Sequence, residues 1–159
     1  VLAAGCKPER TPEEQARQDA RDIQMVKDAQ KRIPPVRLVQ PEPMPFAEVA
    51  GHRVMGAGCG FRPAGREAAD PVIYSDDERA VMRIDGRPAV LAADSGSAEF
   101  PYGSREHYSG KEYDLRLTRE PGDGTPSGEE GAQWTATVTL RDRWDRPAYA
   151  VAGTLYCGA

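Results

Sequence analysis

The feature that most constrains the fold is a two-residue alternation of apolar and polar side chains. In one stretch, Trp134, Ala136, Val138 and Leu140 alternate with threonines. The same alternation recurs in EYDLRLT and in AYAVAGTLYC. Because successive side chains of a strand point to opposite faces, this repeated period of two predicts half-buried antiparallel strands.

Turn residues separate these runs throughout residues 46–159. Most of the 16 glycines and 14 prolines lie between short apolar runs, which favours many turns. Asp85-Gly86 is a strong signal for a two-residue hairpin turn, and residues 144–147 are expected to turn the final hairpin. The stretch 120–131 has no apolar residue and is expected to be a mobile loop. We therefore predict an all-β domain over 46–159, a small antiparallel barrel or sandwich of about seven to eight strands.

One helix and a proline-rich stretch precede this domain. Thr11, Pro12 and Glu14 match the N-cap, first-turn proline and capping box that begin a helix. The apolar stripe that follows is narrow, which predicts a helix that lies on a surface or stands partly free. The prolines of 34–45 indicate an extended linker. The alternative is that this segment packs back on the domain as an edge.

The chain begins with VLAAGC, a small apolar run that ends at a cysteine and is followed by very polar sequence. Its last five residues resemble the lipobox of bacterial lipoprotein signal peptides, here Leu2-Ala3-Ala4-Gly5-Cys6. The resemblance implies that residues 1–5 are the end of a signal peptide and that Cys6 is acylated. Residues 6–33 then form a lipid anchor and helical spacer, and 34–45 the linker. The alternative is that Cys6 is an ordinary thiol in a frayed terminus.

Two acyl chains or more hold a protein stably on a membrane. The resemblance to lipoproteins therefore implies that the membrane itself is a partner, bound through the lipid on Cys6. In Gram-negative lipoproteins an aspartate after the acylated cysteine favours the inner membrane, and here Lys7 follows it. We accordingly expect an outer-membrane lipoprotein that faces the periplasm.

The chain has three cysteines, so one of them cannot pair within the chain. If Cys6 is acylated, Cys59 and Cys157 remain, and an oxidising compartment would join them. Such a disulfide would tie an early strand to the last one, which suits a closing barrel. The alternatives are two buried free thiols, or pairings that use an unlipidated Cys6.

Composition and motifs exclude several kinds of partner. A net charge of -4 and a pI of about 5.3 give no basic surface for nucleic acid. The cysteines and the two histidines lack the spacing of metal ligands, and no glycine-rich loop follows a strand and opens a helix. We predict no metal and no cofactor. The acidic run Asp76-Asp77-Glu78 is typical of a solvated tip between two strands.

The residues that come nearest to a catalytic set are Ser104, His107 and Ser109, which are close in sequence. A nucleophile needs a base within reach, and nearness along a turn does not provide it. No G-x-S-x-G motif occurs. We therefore predict that the protein is not an enzyme, and an envelope hydrolase is kept as an alternative.

Aromatic side chains with interleaved cations crowd the stretch YGSREHYSGKEY. Tyr108, Ser109, Lys111 and Tyr113 are the candidate partner-binding residues, if their side chains project into solvent. The favoured alternative places Tyr108 and Tyr113, together with Phe100, in the core.

The stretch Ser109-Gly110-Lys111-Glu112-Tyr113 is similar to the Ser-Gly-x-x-Tyr signature of the membrane-bound inhibitors of c-type lysozyme. Those inhibitors are lipoproteins with a small antiparallel barrel and a disulfide that reaches the C-terminal end. The resemblance implies that Ser109 lies on a loop that enters the lysozyme cleft. The domain 46–159 is longer than the domain of that family, and the loop 120–131 has no counterpart in it.

The sequence thus predicts a lipid-anchored cell-envelope protein with a non-enzymatic binding or structural role. Its expected partners are the membrane and an envelope protein or glycan. A periplasmic inhibitor of c-type lysozyme is one alternative function, and an envelope hydrolase is the other.

Overall fold

The structure is a computed structural model that describes residues 10–52 and 56–159. Cys6 and the lipobox resemblance lie outside the described residues. The chain divides into two compact units, one that ends at Pro35 and one formed by Val36–Ala159.

The first unit contains helix α1, Pro12–Gln30. The Thr11 hydroxyl accepts a hydrogen bond from the backbone N–H of Glu14, and the Glu14 carboxylate accepts one from the backbone N–H of Thr11. This confirms the predicted capping box. No residue of α1 is buried, and Ile23 and Val26 of its apolar stripe are exposed. Within the described ranges, no helix combines the length and apolarity needed to span a membrane.

The second unit contains a short helix and one antiparallel sheet. Eight strands close into a barrel, because β6 pairs both with β5 and with β8, and β7 is an extra strand beside β8. This confirms the predicted all-β fold with one preceding helix. The elements are α2 Phe46–Ala50, β1 Gly58–Pro63, β2 Ile73–Ser75, β3 Arg79–Ile84, β4 Arg87–Ala93, β5 His107–Ser109, β6 Tyr113–Arg119, β7 Thr125–Pro126, β8 Gly131–Asp142 and β9 Pro147–Gly158.

The alternating side chains divide between the barrel interior and its outer surface as the sequence predicts. The four apolar residues that alternate with threonines in β8 are buried, and the threonines lie on the outer face: the buried residues are Trp134, Ala136, Val138 and Leu140. Each of the eight barrel strands contributes at least one buried side chain to the interior. The barrel therefore encloses a packed core, as small barrels do.

Two predicted turns and the predicted disulfide are present. Ile84 pairs with Arg87 across Asp85-Gly86, and both turn residues have positive φ, as a two-residue hairpin turn of this type requires. The final turn lies between β8 and β9. Cys59 and Cys157 are direct partners in the β1–β9 ladder and form a disulfide, with their Cα atoms 4.0 Å apart.

The antiparallel order gives the barrel two distinct ends. The turns after β3, β5 and β8 lie together at one end, which we call the turn end. The first residues of β1 and the last residues of β9 lie at the opposite end, which we call the disulfide end. A 3-10 turn, Pro101–Gly103, packs against β1 and β9 there.

The segment 36–45 packs against the turn end of the barrel. Backbone N–H groups between its prolines donate to barrel carbonyls: Val39 to Ala148 at 3.0 Å and Glu42 to Arg83 at 2.9 Å. Val39 is almost fully buried in the core. Of the two interpretations of the proline-rich stretch, these contacts match the one in which it packs back on the domain. The compact unit accordingly begins at Val36 rather than at residue 46.

One guanidinium group adds three side-chain hydrogen bonds to this packing. Arg83 on β3 donates through Nε to Glu42 at 2.9 Å and through Nη1 to Glu48 at 2.8 Å. Its Nη2 donates to the carbonyl oxygen of Pro43 at 2.8 Å. Arg83 therefore joins the segment and helix α2 to the barrel wall.

Two polar stretches are more ordered than their composition predicts. Asp76 is 7% exposed, and its carboxylate accepts hydrogen bonds from the backbone N–H groups of Glu78 and Arg79. It caps the turn between β2 and β3, so the expectation of a solvated tip is wrong for Asp76. In the loop 120–131, strand β7 pairs with β8, and the indole N–H of Trp134 donates to the Gly122 carbonyl at 2.9 Å.

Candidate functional site

A groove of about 650 Å³ lies at the turn end, between the β3–β4 turn and the β5–β6 turn. The side chain of Arg37, from the segment before the barrel, borders it as well. Its lining consists of Arg37, Ile84, Asp85, Arg87, Pro88, Ala89, Val90, Leu91, Gly110, Lys111, Glu112 and Tyr113. A concave site of this size is typical of ligand-binding surfaces.

The groove exists because β5 is short and turns away from β4. These strands pair only through Ala92 with Ser109 and Ala93 with Tyr108. The chain then turns at Gly110, whose N–H donates to the Tyr113 carbonyl at 3.0 Å. A Cβ on Gly110 would lie 3.0 Å from Cγ of Leu91, so glycine lets the turn lie directly against β4. The part of β4 before Ala92 therefore has β3 on one side and the groove on the other.

The hydrogen-bond pattern shows which backbone groups of β4 face the groove. The N–H of Ala93 donates to the Glu78 carbonyl, on the β3 side, and the N–H of Asp94 donates to the His107 carbonyl, on the β5 side. Residues of an antiparallel strand alternate between its two neighbours. The N–H and C=O of Val90 thus point to the β5 side, where no hydrogen-bond partner exists in the described part of the chain.

Charged side chains surround the groove, and cations outnumber acids. Arg37 and Asp85 form an ion pair. Arg87 and Lys111 are exposed, and neither has an acidic partner among residues 10–52 and 56–159. Glu112 is the remaining acid of the groove. Counted over the described residues, the rim thus has two unpaired cations and one unpaired carboxylate.

Tyr113 forms the wall of the groove opposite β4. Its side chain is partly buried and packs against the core. Burial raises the pKa of the Tyr113 hydroxyl above its ordinary value, and the positive charge of Arg37 opposes that shift. The hydroxyl is therefore protonated at neutral pH and able to donate a hydrogen bond.

The structure divides the four candidate partner-binding residues between the surface and the core. Lys111 and Tyr113 line the groove, and Ser109 is exposed at the start of the same turn. Tyr108 is fully buried, because alternation along β5 directs it inward and Ser109 outward. Tyr108 is therefore a core residue, as the alternative interpretation of the aromatic cluster has it, and it does not contact a partner.

The residues considered for hydrolysis are not brought together. Ser104 is buried, and its hydroxyl lies 2.7 Å from that of Ser75 and 2.9 Å from that of Tyr108. His107 is on the outer face, where Nδ1 lies 3.1 Å from the Asp94 carboxylate. This hydrogen bond lowers the pKa of Asp94 below its ordinary value. In the described ranges no hydrogen bond joins His107 to Ser104 or to the exposed Ser109.

No group of three or more histidine, cysteine, aspartate or glutamate side chains in the described residues is arranged to hold a metal ion. His52 is the second residue after α2, far along the chain from His107. Comparisons with known proteins give no further information on the site. No family model matches the chain, and no curated protein or solved structure matches it either.

The sequence patterns do not predict Arg37, Arg87 or Val90 as groove residues. For β4 one signal was available. Pro88 lies inside the run RPAVLAA, and proline within a strand is confined to edges, because it has no N–H to donate. Arg37 carries no such signal, because its position depends on how the segment 36–45 packs.

Proposed function

We propose that this protein is a non-enzymatic binding module of the bacterial cell envelope that recognises an envelope protein or glycan through the groove at the turn end. The observation that carries the proposal is the groove itself. It joins a strand edge and two cations, all without partners among the described residues, with the side chain of Tyr113 in one concave surface of about 650 Å³. Concave sites with a few convergent polar groups are the usual places of ligand binding.

Two further features support an envelope location with a lipid on Cys6 as the anchor in the outer membrane. The lipobox resemblance at residues 2–6 is typical of lipoproteins. The Cys59–Cys157 disulfide closes the barrel covalently, and disulfides persist in oxidising compartments such as the periplasm.

Site-specific photo-cross-linking in the envelope tests the groove. A photoreactive amino acid replaces Glu112 at the groove, and the matched control carries it at Asp123 in the exposed loop before β7. We expect one defined adduct from position 112 that is absent from position 123. The proposal fails if both positions yield the same mixture of lipid and abundant membrane proteins.

A second candidate function is inhibition of c-type lysozyme, and one observation favours it. The stretch that resembles the inhibitor signature forms the exposed turn between β5 and β6, with Ser109 and Lys111 at its surface. A projecting turn on a rigid barrel is suited to enter an enzyme cleft. An inhibition assay with c-type lysozyme tests this function directly.

A further inference from the structure

We propose that the groove binds an extended, acidic segment of a partner protein, which pairs with the free edge of β4 as an added strand. This inference rests on the proposed function, because it names the class of ligand for the same groove. It is carried by three properties of the site: unpaired backbone groups, the position of the cavity along the strand edge, and charge.

The unpaired backbone groups belong to the first half of β4. Val81 on β3 and Val90 on β4 form a non-hydrogen-bonded pair. In such a pair the backbone N–H and C=O of each residue point away from the other strand. The N–H and C=O of Val90 and the C=O of Pro88 therefore face the groove. In the part of the chain that the structure describes, nothing accepts from or donates to these groups. A row of this kind is a template for another extended chain.

The cavity follows the strand edge rather than one face of the sheet. The five consecutive residues 87–91 all border it. Ala89 and Leu91 direct their side chains inward, whereas Val90 directs its side chain outward and is 50% exposed. Since neighbouring residues of a strand point to opposite faces, a cavity that touches all five must run along the edge. Five residues of strand extend about 17 Å, which accommodates a short peptide.

The charges favour an acidic peptide. Arg87 and Lys111 have no acidic partner among the described residues, and Arg37 is paired with Asp85. Glu112 is the one opposing carboxylate of the rim, so the unpaired charge there is net positive. An acidic side chain on the added strand would pair with either free cation. Two copies of this chain joined edge to edge would instead bring two rims of net positive charge into one interface, which like-charge repulsion disfavours. A glycan has no regular row of amides to pair with Val90.

Amide hydrogen exchange on the full 159-residue chain tests the pairing without any variant. The probe is a capped peptide of alternating valine and glutamate, about seven residues long, the length of a short strand. The matched control peptide has lysine in place of glutamate. We expect the glutamate peptide to slow exchange of the Val90 amide by roughly tenfold or more, and the lysine peptide to have no effect. The proposal is overturned if the Val90 amide stays unprotected at millimolar peptide.

Two substitutions separate backbone pairing from the rest of the groove. Val90→Pro removes the N–H without removing a ladder bond, because that N–H does not face β3. Val90→Thr keeps the N–H and the branched shape. We expect V90P to weaken binding of the glutamate peptide at least about tenfold, a loss typical of one hydrogen bond, and V90T to bind like the unaltered chain. Exchange at Val90 decides the question if V90P does not fold.

The outcomes also separate this inference from the proposed function. If V90P binds the peptide normally while Lys111→Glu abolishes binding, strand addition is wrong and the groove remains the binding site. If Val90 becomes protected without peptide as the protein concentration rises, a second copy is the occupant and the inference is overturned. Failure of the proposed function itself appears only in the cross-linking experiment, as equal labelling from positions 112 and 123.

Discussion

The Tyr108 hydroxyl donates a hydrogen bond of 2.6 Å to the backbone carbonyl of Asp76. The same oxygen accepts the backbone N–H of Arg105 at 2.6 Å, so Tyr108 joins β5 to the turn between β2 and β3. Burial raises the pKa of this hydroxyl, which keeps it protonated and able to donate. A buried side chain thus pairs with a buried carbonyl and with a partly buried N–H at once.

Tyr108→Phe should lower the free energy of unfolding by about 1–3 kcal/mol, because it leaves buried polar groups without a partner. Tyr113→Phe is the matched control, since no hydrogen bond to its hydroxyl exists among the described residues. Urea denaturation with the disulfide intact measures both. Equal stability of the two variants would contradict the role assigned to Tyr108.

Loss of the Cys59–Cys157 disulfide should lower the free energy of unfolding more than Tyr108→Phe does. The disulfide spans a sequence separation of 98 residues, and closing a loop of that length stabilises a fold by roughly 4–5 kcal/mol through chain entropy. The measurement compares urea denaturation of a Cys59→Ala/Cys157→Ala variant with that of the cysteine-paired chain. Both chains carry Cys6→Ser so that thiol exchange cannot occur. A difference below about 1 kcal/mol would mean that the barrel closes without covalent help.

Arg83→Met should loosen the segment 36–45. The half-buried guanidinium donates hydrogen bonds to two carboxylates and one carbonyl. We therefore expect the free energy of unfolding to fall by about 1–3 kcal/mol, a value between those typical of exposed and of buried ion pairs. Exchange of the Glu42 amide should also accelerate. Arg116→Met removes the more exposed pair with Glu106 and serves as the control, with an expected loss below about 1 kcal/mol. Unchanged exchange at Glu42 would show that backbone hydrogen bonds and apolar packing hold the segment without the Arg83 side chain.

Asp142 should contribute to acid sensitivity. The side chain of Arg146 and the backbone N–H groups of Arg146 and Trp144 bond its carboxylate and lower its pKa in the folded protein. A folded-state pKa below the ordinary value stabilises the fold at pH values above about 4, and this contribution is lost as the pH falls through the folded-state pKa.

Asp142→Asn should therefore give a flatter dependence of the melting temperature on pH below about 4 than the unaltered chain shows. Asp145→Asn, at an exposed position in the same turn, is the control, and asparagine tolerates the positive φ found there. Identical slopes for Asp142→Asn and the unaltered chain would rule out this source of acid sensitivity.

The lysozyme hypothesis predicts inhibition of c-type lysozyme at near-stoichiometric amounts of protein. Ser109→Ala or Lys111→Ala should weaken the inhibition, because both residues lie on the exposed β5–β6 turn. Arg62→Ala on β1, away from this turn, should leave it unchanged. Full lysozyme activity in the presence of excess protein would exclude this function.

Local patterns in the sequence predict the barrel well because they depend on near neighbours. The alternation of β8, the Asp85-Gly86 turn and the capping box at Thr11 are all present as predicted. The pairing of Cys59 with Cys157 was also predictable, since few cysteines were available to pair.

The groove was only partly predictable, because it depends on contacts between distant parts of the chain. The turn that carries Lys111 and Tyr113 was identified as a candidate surface, whereas Arg37 reaches the groove only through the packing of the segment 36–45. The early turn of the chain at Gly110, which exposes the edge at Val90, is likewise a tertiary feature. The sequence left open whether Tyr108 lies at the surface or in the core. In the structure it lies on the inner face of β5 and belongs to the core.

The disulfide also determines what a protease could remove from this barrel. The exposed stretch between β6 and β8 lies between the two cysteines in sequence, so a single backbone cut there leaves both pieces joined through sulfur. Such a nicked barrel would run as a full-length chain on a gel until it is reduced. A chain cut once by a protease in this stretch would therefore stay one covalently linked molecule, with β1 and β9 joined.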